Sequence, residues 1–148
     1  MIIYIGGDHR GFKLKESLKK QLQKSEYTVV DCGAKTFIQD DDYPDYASKV
    51  AEKVSNNADV RGIVICGSGV GVDIVVNKYK NIRSGLVGSP DQARVSRTDD
   101  NTNILALAAD FLSEAQAKKI MKTWLTTDFS HDPRHRRRLK KIADIERL

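Results

Sequence analysis

The chain has 148 residues, 40% of them hydrophobic and 30% charged, with apolar residues spread along its whole length. That composition suits one globular domain over residues 1–148 and excludes wholesale disorder. The longest apolar runs, such as 104–109, fall far short of the roughly 20 residues of a membrane span, so no membrane partner is expected. The opening MIIYIGGDHRG has no basic region ahead of its short apolar stretch, which argues against a cleaved signal. Cys32 and Cys66 form no C-x-x-C pair and are too few for a disulfide framework, which fits a reducing, cytoplasmic setting. The net charge of +5 is local: residues 134–141, RHRRRLKK, hold six basic residues and no acid, leaving 19 basic against 20 acidic residues elsewhere. No base-stacking aromatic set or groove-reading motif accompanies that run, so no nucleic-acid partner is expected.

In chain order the hydrophobic period switches repeatedly between strand and helix. Residues 1–5 read as a strand, and Phe12, Leu14, Leu18 and Leu22 fall near helical spacing. Residues 27–30 read as a second strand, followed by a polar loop with Asp40, Asp41 and Asp42 and a helix over 45–54. A buried strand is expected over 62–66, ending at Gly-Ser-Gly-Val-Gly, with a helix through Ile74, Val75 and Lys78. Residues 82–87 and 103–108 complete the strands. Between them Ser89-Pro90-Asp91 reads as a helix start with proline in the first turn. Ser113-Glu114-Ala115-Gln116 matches a capping box before a helix over 117–124, and Pro133 opens a final basic helix. About five strands alternating with helices imply a three-layer αβα, Rossmann-like α/β fold with a parallel sheet. In such sheets ligands bind beyond the carboxyl ends of the strands.

Two strand ends carry chemistry. Gly6-Gly7-Asp8-His9-Arg10-Gly11 is expected after the first strand, and Cys66-Gly67-Ser68-Gly69-Val70-Gly71 after the third. In the second, alternating glycines let successive backbone N–H groups turn into one concavity, a nest for an anion. The dinucleotide fingerprint is broken by Val72, and no Gly-Lys-Ser/Thr of a P-loop is present. Cys66 beside the nest could act as a thiolate base or simply fill the core. Asp8-His9 could be an acid/base pair or a loop cap with a surface histidine.

As a set, GGDHRGFKLK, DYPDYASKVAEKV, GIVICGSGVGVDIVVNK, SRTDDNTNIL and PRHRRRLKKIADIE resemble the ribose-5-phosphate isomerase type B family and its relatives acting on galactose 6-phosphate and allose 6-phosphate, over essentially the full length. The resemblance implies an aldose–ketose isomerase converting ribose 5-phosphate to ribulose 5-phosphate through a cis-enediol, with no metal or organic cofactor. It implies Cys66 as the proton-transfer base, and Gly67, Ser68, Gly69, Val70 and Gly71 as the cradle for sugar oxygens. Asp8 and His9 would contact substrate, and Arg134 and Arg138 would grip its phosphate. It also implies a homodimer or dimer of dimers with a site shared between subunits.

Three positions depart from the family pattern. Asp99 and Asp100 stand where the family has its ring-opening histidine and an asparagine, and Asp110 where many members have an arginine. Asp99 is then the candidate ring-opening residue and Asp100 a substrate contact. The alternatives are the cysteine-bearing subunit of a heteromeric galactose-6-phosphate type isomerase, or a poorly active homologue.

Overall fold

A computed structural model describes all residues 1–148. Five strands, β1 (Ile2–Gly7), β2 (Thr28–Asp31), β3 (Arg61–Cys66), β4 (Ser84–Leu86) and β5 (Ile104–Ala108), form one sheet in the order β2-β1-β3-β5-β4. Every neighbouring pair is parallel. The six helices are α1 (Phe12–Gln23), α2 (Tyr43–Ser55), α3 (Val70–Val76), α4 (Pro90–Thr98), α5 (Glu114–Thr126) and α6 (Pro133–Glu146).

Alternation along β3 divides the core into two layers. Ile63 and Ile65 join Leu14, Leu18, Ile120 and Trp124 on the α1 and α5 face. Val64 and Cys66 join Ala47, Val50, Val72 and Val76 on the α2 and α3 face. A strand buried on both faces needs apolar residues at every position, which is why Gly-Ile-Val-Ile-Cys shows no period of two. The chain leaves β1 for β2 on one side and returns to place β3 on the other. That reversal opens a crevice at the carboxyl ends of β1 and β3, the place where an open α/β sheet binds ligands.

Several boundaries differ from the sequence expectation. Gly6 and Gly7 belong to β1, because Gly6 pairs with Val64 and Gly7 with Ile65, so the loop after the strand begins at Asp8. Helix α2 starts at Tyr43, since Pro44 fits a first turn that needs no N–H. Strand β4 is only three residues long, although Ile82 and Val87 beside it are buried. Ser89 caps α4 by accepting from the Gln92 N–H, and Ser113 with Gln116 forms the reciprocal capping box of α5. Helix α6 buries only His135 and leaves Ile142 and Ile145 exposed. No helix is long and apolar enough to cross a membrane.

Candidate active site

The loop that follows β1 is locked by the Asp8 side chain. Its Oδ1 accepts from the backbone N–H groups of Arg10 and Gly11, both at 3.1 Å, so the buried carboxylate sets the turn into α1. His9 is held from the next loop: its backbone N–H and its Nδ1 lie 2.7 and 2.9 Å from Asp41 Oδ1. The Tyr46 hydroxyl donates to Asp41 Oδ2 at 2.9 Å. With the ring proton assigned to Nδ1, His9 Nε2 remains for a ligand.

These bonds set the local electrostatics. The Asp41 bond, reinforced by the charges of Asp8 and Asp40, raises the His9 pKa above its ordinary 6.5. Burial pushes the Asp41 carboxyl up, but the His9 and Tyr46 bonds outweigh it and hold Asp41 below the usual range. Tyr46 is raised by the same carboxylate. Asp8, His9 and Asp41 bring possible ligand atoms within 4.8 Å of one another. Asp8 Oδ1, both Asp41 oxygens and His9 Nδ1 are engaged in these bonds, which join the two loops into one hydrogen-bonded network.

Cys66 ends β3 beside this loop and is 4% exposed, packed in the α2–α3 layer. In the single chain it lines none of the five principal cavities, among them one along α1 and one at the amino edge of the sheet. The next residues turn sharply from β3 into α3. Gly69 has φ of +74°, and a Cβ there would lie 2.4 Å from Leu86 Cδ1 and 3.0 Å from the Leu107 carbonyl carbon. Only glycine turns the chain this tightly without strain. The Ser68 Oγ accepts from the Val70 N–H at 3.3 Å and keeps its own hydroxyl proton for a ligand. The Tyr43 ring lies against Gly71, and Arg10, ion-paired with Asp110, lies against Gly67. The Asp110 N–H donates to the Gly67 carbonyl at 3.0 Å, tying the β5 loop to the cradle.

The remaining predicted residues gather elsewhere. Asp99 caps the end of α4 and lies 3.7 Å from His135 Nε2, while His135 Nδ1 meets Ser130 Oγ at 2.7 Å. The Asp100 carbonyl accepts from Arg83 Nε at 3.1 Å. Arg134 and Arg138 are exposed on α6. Asp99 and Asp100 precede Ile104, at the amino end of β5, whereas Cys66 pairs with Ala108 at its carboxyl end. Four residues of strand, roughly 13 Å, separate those levels. Asp8, His9, Cys66 and residues 67–71 therefore form one cluster. Asp99 and His135 form a second, with Arg134 and Arg138 on the helix that carries His135.

Sequence reading missed Asp41, Tyr46 and the Asp99–His135 contact. The run Asp40-Asp41-Asp42 was a visible signal, but 32 residues separate Asp41 from His9, and only the fold brings them together.

The sequence model of the Ribose/Galactose Isomerase family matches residues 3–142. The chain belongs to this family. It is 35% identical over 147 residues to ribose-5-phosphate isomerase B of Mycolicibacterium paratuberculosis, covering 99% of this chain and 92% of the relative. Among solved structures it is similar to ribose-5-phosphate isomerase B of Mycoplasma genitalium with bound ribulose-5-phosphate, at TM-score 0.95 and 40% identity, covering 99% of this chain and 96% of that one. The enzyme of Clostridium thermocellum gives TM-score 0.94 at 41% identity, with 99% and 98% covered. The α/β architecture expected from the sequence is thus shared with these isomerases.

Proposed function

We propose that this protein interconverts ribose 5-phosphate and ribulose 5-phosphate, with Cys66 as the base. The observation that carries the reading is that Cys66 ends β3 directly ahead of the Gly67–Gly71 turn, beside the strand that leads into Asp8 and His9. With the sugar ring open, the Cys66 thiolate takes the C2 proton, and the C–H electron pair becomes the C1–C2 double bond of a cis-enediol. The carbonyl oxygen at C1 takes the negative charge and is then protonated from solvent, which later receives the O2 proton. Backbone N–H groups from Gly67, Ser68, Gly69 and Gly71, with the Ser68 hydroxyl held by the Val70 N–H, stabilise that oxygen. Delivery of a proton to C1 from the Cys66 thiol, which exchanges with solvent while it is protonated, with loss of the proton from O2, leaves the C2 ketone. No redox partner is needed, since a proton returns to the neighbouring carbon.

Asp8 and His9 serve as readers of the substrate's hydroxyl and phosphate groups, His9 gaining charge through Asp41. Arg134 and Arg138 anchor the phosphate, their planar forks suiting its oxygens. Ring opening falls to Asp99, whose neighbour His135 supplies an imidazole 3.7 Å away, and Asp100 contacts the sugar beside it. Because this second cluster lies at the opposite edge of the sheet from Cys66, the complete site requires two copies of the chain, each lending α6 and the end of α4 to the other. The chain is accordingly a homodimer, or a dimer of dimers.

Purified protein incubated with ribose 5-phosphate should form ribulose 5-phosphate, and Cys66→Ala should lower turnover by about 10²–10⁴-fold, the usual weight of a general base. Undiminished turnover in Cys66→Ala would remove this mechanism. A second reading follows from Asp99 and Asp100: the cysteine-bearing half of a heteromeric hexose-6-phosphate isomerase, with a partner donating the histidine. Full ribose 5-phosphate turnover by this chain alone would set it aside.

A further inference from the structure

The amino edge of the sheet, opposite Cys66, holds a cavity of about 680 Å³ lined by Arg61, Arg83 and Arg97, with Asn81, Asn101 and Asn103 among its neutral polar walls. Arg97 is only 5% exposed, and buried cations are nearly always paired with an acid. Lys15 in this same chain shows the ordinary solution, with its Nζ 3.0 Å from both Asp31 oxygens. The three arginines do otherwise. Arg97 donates to the Thr127 and Thr102 carbonyls and to Asn101 Oδ1. Arg83 donates to the Asp100 and Asn101 carbonyls, and Arg61 to those of Trp124 and Leu125. None of the three forms an ion pair.

The capped carbonyls belong to the end of α5 and to the loop 100–102 that follows α4, and α2 ends at the same rim. Three helix C-termini supply roughly −1.5 charge in total, against three full positive charges. Asp59 is the single acid on the lining. Asp128 faces Arg61 and Arg97, and Asp100 and Glu146 face Arg83, all beyond ion-pair range. Burial, then repulsion from Arg61 and Arg83, brings Arg97 down to about 10. The remaining guanidinium donors have no protein partner, and no side-chain nitrogen or oxygen is both fully buried and unbonded. Those donors therefore open to solvent.

We propose that this cavity binds a phosphate dianion, free or as the terminal group of a phosphorylated metabolite, at a site separate from the Cys66 cradle. Guanidinium forks match phosphate oxygens, and the volume leaves room for an organic group beyond the phosphate. Because Arg83 and Arg97 hold the carbonyls of residues 100–102, the bound anion sits on the loop that carries Asp99 and Asp100.

Trp124, the only tryptophan of the chain, reports on this cavity, since Arg61 Cζ lies 5.3 Å from its ring centroid. Inorganic phosphate titrated at constant ionic strength, with chloride as control, should give a saturable change in Trp124 emission. Arg61→Lys, which keeps the charge but loses the fork, should weaken binding about tenfold, and Arg61→Met should abolish saturation. Ribose 5-phosphate titrated in parallel separates the two sources: tighter binding than inorganic phosphate assigns the site to an ester, equal or weaker binding to the free ion. Arg138→Ala should leave the curve unchanged. No saturable response, a response equal to that of chloride, an unaltered curve in Arg61→Lys, or a curve lost in Arg138→Ala would each overturn the proposal.

Discussion

At the scale of single residues, the His9–Asp41 contact makes a signed statement about pH. His9 is raised above 6.5 by its Asp41 bond, so its contribution to folding is fully present below the unfolded value and fades as pH rises through the folded one. An NMR titration of the three histidines should place the His9 midpoint above 6.5, and Asp41→Asn should lower it. On the functional reading, KM for a sugar phosphate should rise as His9 loses its proton, at a lower pH in Asp41→Asn than in the parent. Gly69→Ala should cost about 1–3 kcal/mol in chemical unfolding, because it joins a left-handed φ to a clash with Leu86; a loss below half that range would mean the cradle can relax. The cysteine, the glycines and Asp8-His9 were readable one by one because each sits at the end of a strand with its own pattern. Asp41 was not, since nothing in the run Asp40-Asp41-Asp42 singles out the member that the fold brings to His9, 32 residues away.

At the scale of elements, alternation of strand and helix was legible from the switching hydrophobic period, helped where a helix carries a side-chain cap of its own. The Ser113–Gln116 pair and Ser89-Pro90 are local signals, settled within one turn. Ser113→Ala should remove one half of the capping box and destabilise the protein by about 1 kcal/mol, read as a lower urea midpoint with unchanged slope; an unmoved midpoint would show that α5 is fixed by packing alone. Where the sequence misled, tertiary pairing had decided. Gly6 and Gly7 are poor strand formers on propensity, yet register with Val64 and Ile65 extends β1 through them. Strand β4 shrinks to three residues because it pairs on one side only. Neither effect can be read from a window of neighbours.

At the scale of the whole molecule, the division of candidate residues between two edges of one sheet is the main consequence of the fold. Sequence spacing could not reveal it, since Asp99 and Cys66 lie 33 positions apart in a chain that crosses the sheet between them. If two copies share each site, Cys66→Ala and Arg138→Ala chains, each weak alone, should complement when co-expressed. Random pairing then restores about one quarter of the parent's sites, because half the dimers are mixed and each has one intact site. Activity no greater than the sum of the two variants would place all these residues in one chain's site.

Proton transfer by Cys66 is tested most directly by isomerising ribose 5-phosphate in deuterium oxide and following C1 and C2 by NMR. The enediol route predicts solvent deuterium at C1 of the ketose, with Cys66→Ala losing both exchange and turnover. Deuterium entering C1 at the parent's rate in Cys66→Ala, with turnover to match, would contradict it.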